Sequence, residues 1–395
     1  GTTNVFDELD RLVEVQFANG THKLTGFDAA SRRVAETNED NIVTLFGFDG
    51  ADRLTSVTNA LGTTNEIVTG YEYDEAGNQR AQVDALGRTN LFGFDPLGRR
   101  VWHLMPDGVN MEQLAFDAIG NLILHTNFNA VVITNQYDAM NRLTNRASVN
   151  GYQITFTYSP TGQRTNMTDP SGTTAYEYDE RDQLTNKVVA WTGGPVISLS
   201  YAHDANGNVT NTWSSTPSGV NLRYDYDPLN RITNVVANGS VAASYGYDLS
   251  GNLQSIRYGN GATNLFQYDP INRLTNSVWK SNQLILASFY YQLGTPGNRT
   301  NLTETLLTSV TNRTCFWSYD TLYRLRSETI SGLGSTSYGF DKVGNRTSRS
   351  AGLAGLSAQN FSYTTNDWLI TDAYDSSGNT LWTTNAGVAT GPYHY

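Results

Sequence analysis

An aromatic residue followed at once by aspartate returns along this chain on a beat of about 21 residues, and no other feature limits its possible folds so tightly. The doublet stands at Phe6-Asp7, Phe27-Asp28, Phe48-Asp49, Tyr73-Asp74, Phe94-Asp95, Phe116-Asp117, Tyr137-Asp138 and Tyr178-Asp179, then at Tyr226-Asp227, Tyr247-Asp248, Tyr268-Asp269, Tyr319-Asp320, Phe340-Asp341 and Tyr374-Asp375. Degenerate copies at Tyr158-Ser159, His203-Asp204, Tyr291-Gln292 and Tyr363-Thr364 fill the gaps, giving about eighteen copies. A period of this length is the mark of an array of small equivalent units.

The residues inside one period say what each unit is. Aromatics two apart, as at Tyr71/Tyr73, Phe156/Tyr158 and Tyr224/Tyr226, share one face of an extended strand. The next residues carry turn chemistry. The motif has a Gly-Asn form, Asp74–Gly77–Asn78, Asp248–Gly251–Asn252 and Asp341–Gly344–Asn345, and an Asn-Arg form, Asp138–Asn141–Arg142, Asp227–Asn230–Arg231 and Asp269–Asn272–Arg273. In both, the Asp carboxylate is expected to accept a backbone N–H two residues on, while Gly or Asn takes the positive φ that closes the bend. A second strand follows, such as Arg231-Ile232-Thr233-Asn234-Val235-Val236, and a further Gly-bearing turn such as Asn238-Gly239 ends the unit.

Two strands and two turns per period predict an all-β chain: a continuous antiparallel β-hairpin meander of about 36 strands. No composition break divides the array, so residues 1–395 are expected to form a single repeat array. A twisted sheet of more than about ten strands does not stay flat, so the ribbon is expected to wind into a spiralling sheet, either a hollow shell or a tubular solenoid. Gly1 begins in mid-pattern, which suggests an interior segment of a longer chain.

Composition excludes several kinds of partner. The net charge is −11 and the chain has few lysines (Lys23, Lys187, Lys280 and Lys342), which argues against nucleic acid. No apolar run reaches the ~18 residues of a membrane-spanning helix. The lone Cys315 permits neither an internal disulfide nor a cysteine-based metal centre. His22, His103, His125, His203 and His394 are scattered without metal-ligand spacing. The recurrent Asp column resembles acid–base machinery, but an active site breaks a pattern once, whereas this carboxylate recurs at every turn. Calcium is the rival for Asp/Asn-rich turns, although each turn offers one carboxylate. No catalytic, metal or cofactor-binding residue is therefore expected, and no cofactor.

The Tyr-Asp-x-x-Gly-Asn and Tyr-Asp-x-x-Asn-Arg-Leu-Thr wording resembles the YD repeats of the RHS proteins, which occur in bacterial polymorphic toxins, toxin-complex components, wall-associated proteins and teneurins. The resemblance covers nearly the whole chain. It implies a β-ribbon wound into a large shell, which in the toxin members encloses a polypeptide and in surface members serves recognition. Asp169-Pro170-Ser171-Gly172 is the only echo of the family's Asp-Pro-x-Gly core signature, and Leu-Thr-Asn recurs uniformly at Leu143, Leu184 and Leu274. The resemblance implies a non-catalytic extracellular or cell-surface structural protein, a shell or a surface fibre. The alternatives are the cocoon of an RHS toxin whose effector lies outside this chain, and a carbohydrate-binding adhesin. The partners implied are further repeats or end-to-end copies of the chain itself, an enclosed polypeptide, or surface glycans.

Overall fold

A computed structural model describes residues 1–307, 312–385 and 388–390. Every regular element among them is a β-strand, from Thr3–Phe6 to Val388–Thr390. Thirty-three strands belong to one sheet in which chain neighbours such as Thr3–Phe6 and Leu12–Gln16 pair antiparallel, and three short strands, Ala373–Tyr374, Thr380–Asn385 and Val388–Thr390, form a separate sheet. The expected all-β antiparallel meander is what the chain forms.

The register explains the motif's spacing. In the hairpin of Ile67–Tyr73 with Gln79–Val83, Gly70 faces Val83, Tyr71 faces Gln82 and Glu72 faces Ala81, and then the register shifts so that Tyr73 faces Gln79. The same one-residue slip precedes the turn between Gln136 and Tyr137, between Asp225 and Tyr226, and between Gly246 and Tyr247. Each is a bulge that lets one residue of the turn adopt the left-handed conformation. Gly77, Gly251 and Gly344 hold φ of 90°, 90° and 99°, whereas Asn141, Asn230 and Asn272 hold 61°, 60° and 64°. Glycine and asparagine are the residues that visit this region at least cost.

The chain groups into two units. One comprises residues 1–111, 266–278 and 285–395, and the other residues 112–265 and 279–284. Among the described residues the buried apolar side chains are few: Ala60, Ala81, Cys315 and Leu353 in the first unit, Val236 and Ala243 in the second. Burial pushes the Cys315 thiol up, so it stays protonated. The chain exposes 22977 Å², whereas a compact monomer of its 43.5 kDa would expose roughly 15,000 Å².

The turn assignment has a direct test. Gly251 sits at φ 90° and Leu249, two residues earlier, is fully exposed. Gly251→Val should destabilise the protein by about 1–2 kcal/mol, the cost of forcing a side chain into the left-handed region. Leu249→Val should stay within about 0.5 kcal/mol of the parent. Equal shifts in denaturant midpoint would contradict the assignment.

Candidate functional site in the turn ladder and the seam

Each turn that opens on aspartate is closed twice by its backbone and then again by its carboxylate. The Asp74 N–H donates to the Asn78 carbonyl at 2.9 Å, and the Gly77 N–H donates to the Asp74 carbonyl at 3.1 Å. Asp74 Oδ1 accepts the Asn78 N–H at 2.8 Å and Oδ2 accepts Asn78 Nδ2 at 2.9 Å. Asn252 binds Asp248 in the same two ways, at 2.8 and 3.0 Å, and Asn345 binds Asp341 at 2.8 and 3.0 Å. In the other form the fifth residue is arginine. Asp138 Oδ1 accepts the Arg142 N–H at 3.0 Å, while Oδ2 accepts Nε at 2.8 Å and NH2 at 2.7 Å. Arg231 holds Asp227 with Nε and NH2, both at 2.7 Å, and Arg273 holds Asp269 with Nε at 2.6 Å. Both oxygens of these carboxylates are thus engaged within their own turns.

This donor set holds the carboxyl groups below their ordinary range. The Asn78 side chain is the main cause at Asp74, the Asn252 side chain at Asp248, the Arg142 side chain at Asp138 and the Arg231 backbone N–H at Asp227.

The same residues join one repeat to the next. The Arg142 guanidinium lies 4.8 Å from the ring centre of Tyr158 and donates to the Ser159 carbonyl at 2.9 Å. Arg231 lies 4.4 Å from the Tyr247 ring, and Arg53 lies 4.8 Å from the Tyr73 ring and donates to the Asp74 carbonyl at 3.2 Å. Arg273 reaches the Gly294 and Thr295 carbonyls. In return, each tyrosine hydroxyl donates backwards: Tyr73 to Leu54 O at 2.7 Å, Tyr158 to Leu143 O at 2.7 Å, Tyr226 to Val209 O at 2.8 Å and Tyr247 to Ile232 O at 2.9 Å. Asparagine turns have their own link, Asn208 Nδ2 to Asn230 Oδ1 at 2.9 Å. The result is a ladder of charge-assisted bonds and cation–π contacts that runs across the strands. The repeat pattern names these residues as turn residues and does not announce this second role. The available signal was an Asp and an Arg or Asn four apart, with a ring about 16 residues further on.

Outside the ladder, polar groups stay dispersed. His103 stacks on Phe92 at 4.8 Å beside Asn90, and His125 pairs with Glu112 at 2.8 Å. Asp169 caps a two-residue hairpin bend by accepting from Ser171 and Gly172. His394 lies outside the described residues. Among the described residues no three His, Cys, Asp or Glu side chains come together as a metal site would require.

Within the first unit, turns from one edge of the ribbon meet turns from its other edge. The Tyr323 hydroxyl donates to Asp40 Oδ2 at 2.8 Å and accepts from Asn38 Nδ2 at 2.9 Å. Thr321 Oγ1 lies 3.1 Å from Thr63 Oγ1 and accepts from Asn65 Nδ2 at 3.0 Å. Farther along, Arg88 NH1 donates to the Thr364 carbonyl at 3.3 Å and NH2 to Asp367 Oδ2 at 3.1 Å, and Asn366 Nδ2 donates to Asp107 Oδ2 at 2.6 Å. Arg88 does here what Arg32 does along the chain, where NH1 donates to the Asp49 carbonyl at 3.3 Å and to Asp52 Oδ1 at 2.6 Å. The seam is therefore built from the ladder's own contact, made between segments 276 residues apart. Between its fastened ends lies an open cleft of ≈ 410 Å³, lined by Asn65, Arg324, Arg326, Tyr338 and Phe340 among others.

Residues 165–387 match the family model described as teneurin YD-shell, which is more than half of the chain. The chain belongs to the teneurin YD-shell family. Three further stretches of this YD-shell chain, residues 27–64, 48–89 and 137–174, match the RHS repeat model. No curated protein matches it. Among solved structures, the YD-shell chain resembles TcdB2–TccC3 with a TM-score of 0.83, at 16% identity over 98% of its length. It also resembles the TcdB2–TccC3–Cdc42 assembly and the Photorhabdus luminescens Tc holotoxin pore, each with a TM-score of 0.82 at 16% identity, over 98% and 97% of this chain. It spans 24% of the length of each of those chains. At that identity the likeness establishes the fold.

Two measurements check the ladder. Tyr247→Phe removes only the hydroxyl bonded to the Ile232 carbonyl and should destabilise the protein by about 1 kcal/mol, whereas Tyr152→Phe, at an exposed tyrosine, should be near neutral. Because the folded carboxyl pKa values are lowered, their stabilisation is complete above the unfolded aspartate value of about 3.9 and is lost as pH falls below it. Urea midpoints should therefore hold level from about pH 5 to 7 and fall below about pH 4. A midpoint that rises on acidification would contradict the carboxylate assignment.

Proposed function

We propose that this chain is a length of shell wall: a non-catalytic, exported scaffold that serves at the cell surface or outside the cell by enclosing a polypeptide. The observation that carries the reading is the seam of the first unit, where one edge of the ribbon fastens to the other through Tyr323, Thr321, Asn366 and Arg88. A ribbon that fastens its own edges becomes a wall, and a wall one layer thick separates two spaces. The chain's chemistry supports the same reading. Carboxylates such as those of Asp74 and Asp138 are occupied by their own turns and are not free to act as acids or bases.

The similar TcdB2–TccC3–Cdc42 assembly combines this fold with a further polypeptide, which supports an enclosed chain as the partner. Glycan adhesion through the aromatic rows finds less support. Rings such as Tyr73, Tyr158 and Tyr247 each carry an arginine on a face that a sugar would need.

Small-angle scattering of the purified chain tests the wall. A solid globule of 395 residues would have a radius of gyration of about 21 Å. A shell wall should give a distinctly larger value and a distance distribution skewed towards long vectors. A value near that of the globule would overturn the proposal.

A further inference from the structure

The ladder contact is generic, which poses a problem for the seam. Any arginine turn could grip any neighbouring turn, so a slip of one repeat would exchange one set of such contacts for an equivalent set. The residues that break the repeat must choose the register. Two such breaks meet within the first unit.

The first is Tyr323. It occupies the left-handed position of its turn with φ 60°, where the other described turns of the ladder place Gly, Asn, Asp or Ser. A bulky aromatic is badly suited to that conformation and needs compensation from outside the turn. The second is a lengthened period. Asp49 and Asp74 are 25 apart where Asp28 and Asp49 are 21 apart, and the extra residues fall in the bend that carries Thr63 and Asn65. Thr63 and Asn65 contact Thr321, two residues before Tyr323, while Tyr323 itself binds Asn38 and Asp40.

We propose that Tyr323 is the register key of the seam: its hydroxyl reads Asn38 and Asp40, and the lengthened bend at Thr63–Asn65 receives the same turn, so that only one alignment of the two edges satisfies both. The adjacent bend, Phe17-Ala18-Asn19-Gly20, offers no carboxylate to the hydroxyl after a slip of one repeat. This inference rests on contacts inside the first unit and stands whether or not the chain encloses anything.

The test is a disulfide trap. Thr63→Cys with Thr321→Cys, in a Cys315→Ala background, places two thiols where the hydroxyl oxygens now lie 3.1 Å apart, so that bond formation reports correct alignment. Adding Tyr323→Asn, which suits the left-handed turn but lacks the hydroxyl, should slow cross-linking about tenfold through loss of two hydrogen bonds, with the far-ultraviolet circular dichroism unchanged. Tyr323→Phe, which keeps the ring, should slow it several-fold. If the tyrosine merely shaped its own turn, Asn would serve as well or better. Cross-linking at the parental rate in both variants would overturn the proposal.

Discussion

The structure depends on one short-range interaction, the acceptance of donors four residues on by the aspartate that opens most of the turns. Without it the bend has two backbone bonds and a left-handed residue; with it, both carboxylate oxygens fix the side chain of Asn78 or Arg142 in place. An arginine held from one side by its own aspartate has a guanidinium plane and a spare N–H pointing at the next repeat. That is why the plane lies over Tyr158 and the spare N–H finds the Ser159 carbonyl. A local bond has become the means by which one hairpin positions the next.

This matters because the sheet has little apolar core to rely on. With few side chains wholly buried, the usual dominant source of stability is diluted. Backbone ladders, cross-strand pairs such as the stacked Phe92 and His103 at 4.8 Å, and the turn ladder share the task. A stack of near-identical hairpins has additive, nearest-neighbour energetics, so each small link is multiplied along the array. The turns that border this ribbon carry charges and hydroxyls, and at the seam these groups make the attachment.

Much of the fold was legible in the sequence because it is written in local rules. Alternating aromatics give strands, and glycine or asparagine at Gly251 or Asn230 marks a bend that needs positive φ. The aspartate's cap was legible for the same reason, since its partners lie within four residues. The inter-repeat role of Arg142 and the hydroxyl of Tyr158 was not, because it depends on the strand spacing that brings residues about 16 apart side by side. The seam was beyond reach altogether. Asn38 and Tyr323 are 285 residues apart, and nothing in either one's neighbourhood announces the other.

Repetition also sets how the polar groups of this chain are laid out. A catalytic constellation needs several unlike groups converging on one point, whereas a hairpin array lays like groups out in parallel rows about 4.8 Å apart per strand. Each row then satisfies itself. Aspartates bind their own turn, arginines bind the next ring, and tyrosines bind the previous backbone. The informative residues are accordingly those that depart from the consensus, as Tyr323 and the longer bend at Thr63–Asn65 do, and not those that obey it.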